Sequence, residues 1–294
     1  PMVVMGVVLG ALSYVFDPFN HGVKQVSWLQ LQDVALWKLA GCVLAGLLML
    51  PSWPLPNRAN SYFSLNAPSW SLMWEYLANI AFALLLWRMR KSILLIVALI
   101  ASIGVVMTAR EYNTLIVGYA WGQMSGALVR TAFSFSAGLL LYRYRCAIRS
   151  PLGIVSLSVV LALSFIVPFA RWTWIYETIV VIVMFPLIVA IGAGSEVSPA
   201  MARICRLLGR ISYPLYLIHY PVCMLFANYY WTRGHGMQGS GILVLVLAAL
   251  MLLLAYGVVT LYDEPLRNRL TRVRLALHPP AAQTGSAACV DTRV

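Results

Sequence analysis

Ser71, Glu75 and Asn79 stand at i, i+4 and i+8 within "SLNAPSWSLMWEYLANI", Ser64 to Ile80. On a helix that spacing sets a hydroxyl, a carboxylate and an amide along one stripe, with apolar residues on the other faces. The apolar run "IAFALLLW" continues from Ile80. A charge inside such a span costs at least about 2.5 kcal/mol, so three polar groups on one face imply a protein-lined or watered interior. The plainer alternative puts Glu75 near the helix start, reaching interfacial water or pairing with an arginine. The two readings differ in what faces the carboxylate.

A second stripe lies in "LGRISYPLYLIHYPV", where Ser212, Tyr216 and His219, followed by Cys223, recur at i, i+4, i+7 and i+11. Histidine exchanges a proton near neutral pH, which makes His219 a general-base candidate. A hydrogen-bonded packing histidine fits the same pattern, in a helix that Pro214 and Pro221 disturb. Arg130, Ser134 and Gly138 form a third stripe, with a cation near one helix end. Arginines so placed snorkel to the interface, and an anionic substrate group would suit Arg130 equally.

The elements that position these stripes follow from composition. Of 294 residues, 61% are hydrophobic and 10% charged, against roughly 25% charged in soluble domains. The apolar residues fall in runs long enough to cross a bilayer, which takes about 20 residues of helix. About nine spans are expected: Pro1–Phe16, Val34–Leu50, Pro68–Trp87, Ser92–Thr108, Ala127–Tyr142, Leu152–Phe169, Trp174–Gly192, Leu207–Trp231 and Gly241–Tyr262. Backbone groups in hydrocarbon must pair internally, and the runs are too long for barrel strands, so the fold class is an all-α, polytopic transmembrane bundle.

Basic clusters fall at Arg88, Arg90 and Lys91; at Arg143, Arg145 and Arg149; at Arg203, Arg206 and Arg210; and at Arg267, Arg269, Arg272 and Arg274. Placing all of them in the cytoplasm satisfies the positive-inside rule. That puts the loop Pro51–Ala67 outside, with Trp172, Trp174 and Tyr176 as an outer aromatic belt. The net charge of +12 is mostly this bias, and nothing points to nucleic acid. Cys42, Cys146, Cys205, Cys223 and Cys289 show no paired spacing, so neither a metal site nor a disulfide framework is expected. Gly6 and Gly10, and Gly118, Gly122 and Gly126, have the four-residue spacing that permits close helix contact. Residues 1–274 read as one membrane domain, and 275–294 as a disordered cytoplasmic tail. The chain opens at Pro1 without a methionine or a basic flank, and its first span is short, so it is expected to begin inside a longer protein.

"LNAPSWSLMWEY" resembles the Asn-x-Pro-x-Trp-Ser-Leu-x-x-Glu signature of the membrane acyltransferase-3 family, which O-acylates surface polysaccharides. "LGRISYPLYLIHYP" is similar to that family's late Gly-x-x-Ser-Tyr-x-x-Tyr-x-x-His helix. "RTAFSFSAGLLLYRYR" resembles its Arg-x-x-x-Phe segment, and "YDEPLRNRL" its closing Glu-Pro element. Tyr76 and Asn79 resemble the branch found with exopolysaccharide and nodulation-factor modification.

The resemblance implies transfer of an acyl group, usually acetyl from cytoplasmic acetyl-CoA, to a sugar hydroxyl of a polysaccharide or glycolipid at a bacterial inner membrane. No bound cofactor is expected, with acyl-CoA as the donor substrate and the lipid bilayer and a glycan acceptor as partners. Glu75 and His219 become the catalytic candidates, and Asn66, Trp70, Ser71, Asn79, Arg130 and Tyr216 the substrate-binding ones. The family's early helix carries an arginine and a histidine thought to be the base. This sequence has only His21, His219, His235 and His278, so that base is expected upstream and the chain alone could be an inactive scaffold. A glycan or anion transporter is the competing class, since intramembrane polar stripes also mark substrate pathways. Transporters often pair two matching halves with broken helices, and no such match is visible.

Overall fold

The computed structural model describes residues 2–17, 36–56, 58, 60–150, 153–232 and 241–277. Among these residues there is no strand, only a single antiparallel bridge between Ser61 and Ala120. The helices are α1 (Met2–Val15), α2 (Leu36–Leu47), α3 (Ser69–Leu84), α4 (Lys91–Tyr112), α5 (Met124–Arg143), α6 (Ile154–Ser164), α7 (Thr173–Ile179), α8 (Phe185–Gly194), α9 (Pro199–Thr232), α10 (Gly241–Val258) and α11 (Glu264–Leu277).

Each of the nine expected stretches contains a helix, but the boundaries move: Leu152–Phe169 is helical only at Ile154–Ser164, and Val34–Leu50 only at Leu36–Leu47 among its described residues. Lys91–Tyr112, Met124–Arg143, Thr173–Gly194 and Gly241–Leu275 are long and apolar enough to cross a membrane by themselves. Helices α1, α2 and α6 are apolar but shorter. A π-helical turn at Val180–Met184 joins α7 to α8, and another at Val259–Asp263 joins α10 to α11. Helix α11 reaches Leu277, so the expected tail begins with helix; its residues 278–294 lie outside the described residues, as do His21, His235, His278 and Cys289. The 34-residue α9 starts eight residues before the expected span and runs on through Pro214 and Pro221. A proline removes one i→i−4 bond without ending a helix whose neighbours re-satisfy the freed carbonyl.

Helix α1 packs between α2 and α9, and α10 lies along α9. Around them, α4 packs on α5 and α7, α5 on α3 and α8, and α6 on α8. The glycine spacing in α1 has a use. A Cβ on Gly10 would stand 2.1 Å from the Leu65 carbonyl oxygen, and one on Gly6 would stand 2.4 Å from Asn66 Nδ2. The segment before α3 therefore lies directly on the α1 backbone.

That segment is a buried plug. Residues 61–66 are all buried, so their backbone groups need partners inside the protein. Tyr62 supplies several: its N–H donates to the Tyr119 carbonyl (3.2 Å), its carbonyl accepts from Ser52 N–H (2.8 Å), and its phenol donates to the Gly118 carbonyl. Trp74 Nε1 donates back to that phenol oxygen at 3.1 Å. Burial pushes the Tyr62 phenol above its ordinary pKa, with the Trp74 hydrogen bond opposing.

Contacts tie the basic clusters together. Arg143 caps the short 3-10 turn Leu86–Arg88 that follows α3, donating to the Leu86 and Trp87 carbonyls at 2.8 Å each and also to Met89. Ile148 N–H donates to the Ala190 carbonyl near the end of α8, just before α9 begins. Arg210 of α9 forms a two-pronged pair with Glu264, both contacts at 2.9 Å. If these loops are cytoplasmic, a membrane-impermeant thiol reagent on intact cells should miss exposed Cys146 in a variant keeping only that cysteine, and should label it after permeabilisation. Equal labelling without permeabilisation inverts the orientation.

Candidate active site

The site grows from one missing hydrogen bond. Pro221 has no N–H to give the carbonyl four residues earlier, that of Leu217. Leu217 is fully buried, and an unpaired carbonyl there would cost about 1–3 kcal/mol. Asn66 fills the gap, donating from Nδ2 to the Leu217 oxygen at 2.9 Å. With its amide thus oriented, Asn66 Oδ1 is buried without a partner, and so is Ser69 Oγ.

The start of α3 is joined to α9 a second time. Tyr216 Oη donates to the Pro68 carbonyl at 2.9 Å and shares a 2.5 Å hydrogen bond with Ser71 Oγ. Asn66, Ser71 and Tyr216, from two distant segments, are thereby brought together. His219 lies beside Tyr216, their ring centres 5.8 Å apart. Its Nδ1 is 3.1 Å from the Leu215 carbonyl oxygen, a contact in which Nδ1–H is the donor; in the neutral ring the lone pair then sits on Nε2. His219 and Tyr216 line a groove of about 480 Å³ with Ser212 and Leu215, closed on the far side by Ala248, Met251 and Leu252 of α10.

The polar stripe of α3 divides. Ser71 turns to α9, whereas Glu75 and Asn79 lie on the exposed face, and Asn79 Nδ2 donates to the Glu75 backbone carbonyl at 2.9 Å. The Glu75 carboxylate still interacts electrostatically with the phenols of Tyr216 and Tyr213. Stripe spacing fixes which residues share a face, but α3 is covered along that face only at its first turn.

Arg130 donates to the Val117 carbonyl at 2.7 Å, and its guanidinium carbon lies 5.7 Å from the Trp70 ring centre. It reaches inward rather than snorkelling, and joins Trp70 to the loop between α4 and α5. Glu177, which sequence reasoning passed over, holds the same loop by accepting from Thr114 Oγ1 at 3.0 Å and from Leu115 N–H. Arg130 and Glu177 line a cavity of about 250 Å³ with Phe165, Tyr176 and Phe185. Cys223 is an exposed free cysteine. Buried Asp263 in the closing element pairs with Arg267 at 3.2 Å, and its neighbour Glu264 holds Arg210.

No group of three or more metal-ligating side chains occurs among the described residues. The cross-linked segments carry a phenol and hydroxyl network with a histidine beside it, and a carboxylate on the exposed face of α3. The bundle that holds them includes four helices long and apolar enough to cross a membrane. A family model described as an acyltransferase domain matches residues 1–260, and the chain belongs to this acyltransferase-3 family. Comparison with curated proteins and with solved structures gave no match.

Arg130→Ala removes the donor to Val117 and the cation on Trp70. Backbone hydrogen exchange at residues 115–118 should rise by about ten-fold or more, since losing a charged hydrogen bond costs about 1.5–3 kcal/mol. Unchanged exchange there would show that Glu177 alone holds the loop.

Proposed function

We propose that this acyltransferase moves an acyl group, typically acetyl, from acyl-CoA to a sugar hydroxyl of a surface polysaccharide or glycolipid at a bacterial inner membrane. The observation that carries the reading is the junction of Ser71, Tyr216 and the Pro68 carbonyl beside His219. It places proton-handling groups where the two most distinctive segments meet.

In this reaction the acceptor oxygen attacks the thioester carbonyl, its proton passes to a base, and the thiolate of CoA leaves and is protonated. His219 Nε2 can take that proton, and hydroxyl donors can hold the developing oxyanion. Ser71 and Tyr216 are the hydroxyls at the helix junction beside His219, and one of them serves the oxyanion by turning its single O–H away from its present acceptor, Tyr216 from the Pro68 carbonyl or Ser71 from Tyr216. Glu75 contributes its negative charge beside this network from the exposed face of α3, and Glu75→Gln removes that charge alone. Asn66 and Trp70 shape the entrance, with Arg130 against the Trp70 ring, and Asn79 steadies the Glu75 turn.

Membranes carrying the full natural protein, given labelled acetyl-CoA, should acylate a glycan or glycolipid. Passage of unmodified glycan across the membrane, independent of acetyl-CoA, would favour the transporter class instead. Glu75→Gln preserves shape and insertion while removing charge. Acylation should fall about ten-fold or more at equal membrane abundance, a loss equivalent to about 1.4 kcal/mol of transition-state stabilisation. Activity within two-fold of wild type would reduce Glu75 to a surface charge.

A further inference from the structure

Arg58 is the one charged residue between Lys38 and Glu75. Its side chain is among the largest fully buried ones, at 2% exposure. The guanidinium carbon lies 5.1 Å from the Tyr14 ring centre, so an aromatic face covers one side of the cation. Tyr220 of α9 and Asp17, just after α1, are its electrostatic neighbours. Asp17 is itself buried, and its Oδ2 accepts from Asn228 Nδ2 at 2.5 Å. Neither Nη1 nor Nη2 of Arg58 has a hydrogen-bond partner, and the buried Tyr220 Oη has none either.

The imbalance is specific in sign. Nη1 and Nη2 each present two N–H groups and the phenol one O–H, and all of these want an acceptor. A water molecule could accept from two of them, but would bring two hydrogens of its own that need acceptors. A buried cation is tolerated when it is paired as well as hydrogen-bonded. The group that meets these demands carries negative charge on at least two oxygens, matching the fork of an arginine.

We infer that Arg58 and Tyr220 form a binding site for an oxyanion, a carboxylate or phosphate group of a ligand, at the junction of α1, α9 and the plug before α3. Tyr14 stacks on the cation and fixes the plane of the fork. Asn228 keeps the Asp17 carboxylate engaged, so that it steadies the local charge without occupying the fork. Tyr220 lies one turn beyond Tyr216 on α9, so the anion site adjoins the Ser71–Tyr216 network. The inference rests on this geometry and does not depend on the transfer reaction.

The test is thermal unfolding of the detergent-purified full natural protein, followed by tryptophan fluorescence. Sodium glucuronate, sodium phosphate and glucose are titrated separately at ionic strength held constant with sodium chloride. Glucuronate or phosphate should raise the Tm saturably, and glucose should not. A response to glucuronate alone assigns a carboxylate ligand, a response to phosphate alone a phosphate ligand, and a response to both a general oxyanion site. Arg58→Gln should abolish the response. Tyr220→Phe, which removes a single hydroxyl, should raise the half-maximal concentration about ten-fold, the equivalent of about 1.4 kcal/mol. If Arg58→Gln does not fold, the Tyr220→Phe shift still decides. No anion response in wild type beyond glucose, or responses unaltered in the variants, would overturn the site and leave Arg58 a stacked structural cation. Transfer assays on the same preparations report separately on acylation.

Discussion

The Leu217 carbonyl is the constraint on which the rest depends. Pro221 strips it of its helical partner in a fully buried position, and hydrocarbon offers no water to replace the lost bond. Asn66 supplies the donor from a segment 151 positions away in sequence. For the amide to arrive, Leu65 and Asn66 must lie against α1, and only residues without a Cβ leave room there, which accounts for Gly6 and Gly10. Docking Asn66 then sets the start of α3, so that Pro68 and Ser71 meet Tyr216, the residue next to Leu217. A backbone deficit thus specifies the placement of side chains that can do chemistry.

The same logic explains why so much irregular backbone is tolerated in an apolar protein. Buried loops survive when their polar groups find partners within the protein. Tyr62, Trp74 and Ser52 serve the plug before α3, while Arg130 and Glu177 serve the loop after α4. These side chains brace two loops from opposite sides, and Trp70 under Arg130 links them. The acyltransferase family signature is therefore a set of backbone partners as much as a set of reactive groups. Asn66 exemplifies both, with its Nδ2 on a backbone carbonyl and its Oδ1 unpaired.

The helical bundle was legible in the sequence because hydropathy runs report burial in lipid directly. Helix ends were less so: α9 extends back to Pro199 through polar residues, and neither π-helical turn leaves a hydropathy signature. Stripes told which residues share a face but not what faces them, so Ser71 was legible as an interior group and the exposure of Glu75 was not. Arg58 went unread although a signal existed, a lone charge in a long uncharged stretch. Its partners Tyr14, Asp17 and Tyr220 come from both ends of the chain, and no local period connects them. The meeting of Asn66 with Pro221's freed carbonyl is invisible for the same reason, since helical spacing carries no information about contacts between distant segments.

A double-mutant cycle on Asn66 and Pro221 tests the central constraint most directly, with unfolding free energy of the purified protein as the readout. Asn66→Ala alone leaves the Leu217 carbonyl unpaired and should destabilise by about 1–3 kcal/mol. Pro221→Ala restores an N–H able to reach that carbonyl within α9, so Asn66→Ala in that background should cost less by about 1 kcal/mol or more. Additive effects of the two substitutions, within about 0.5 kcal/mol, would show that Asn66 does not serve the carbonyl that Pro221 frees, and would contradict the account.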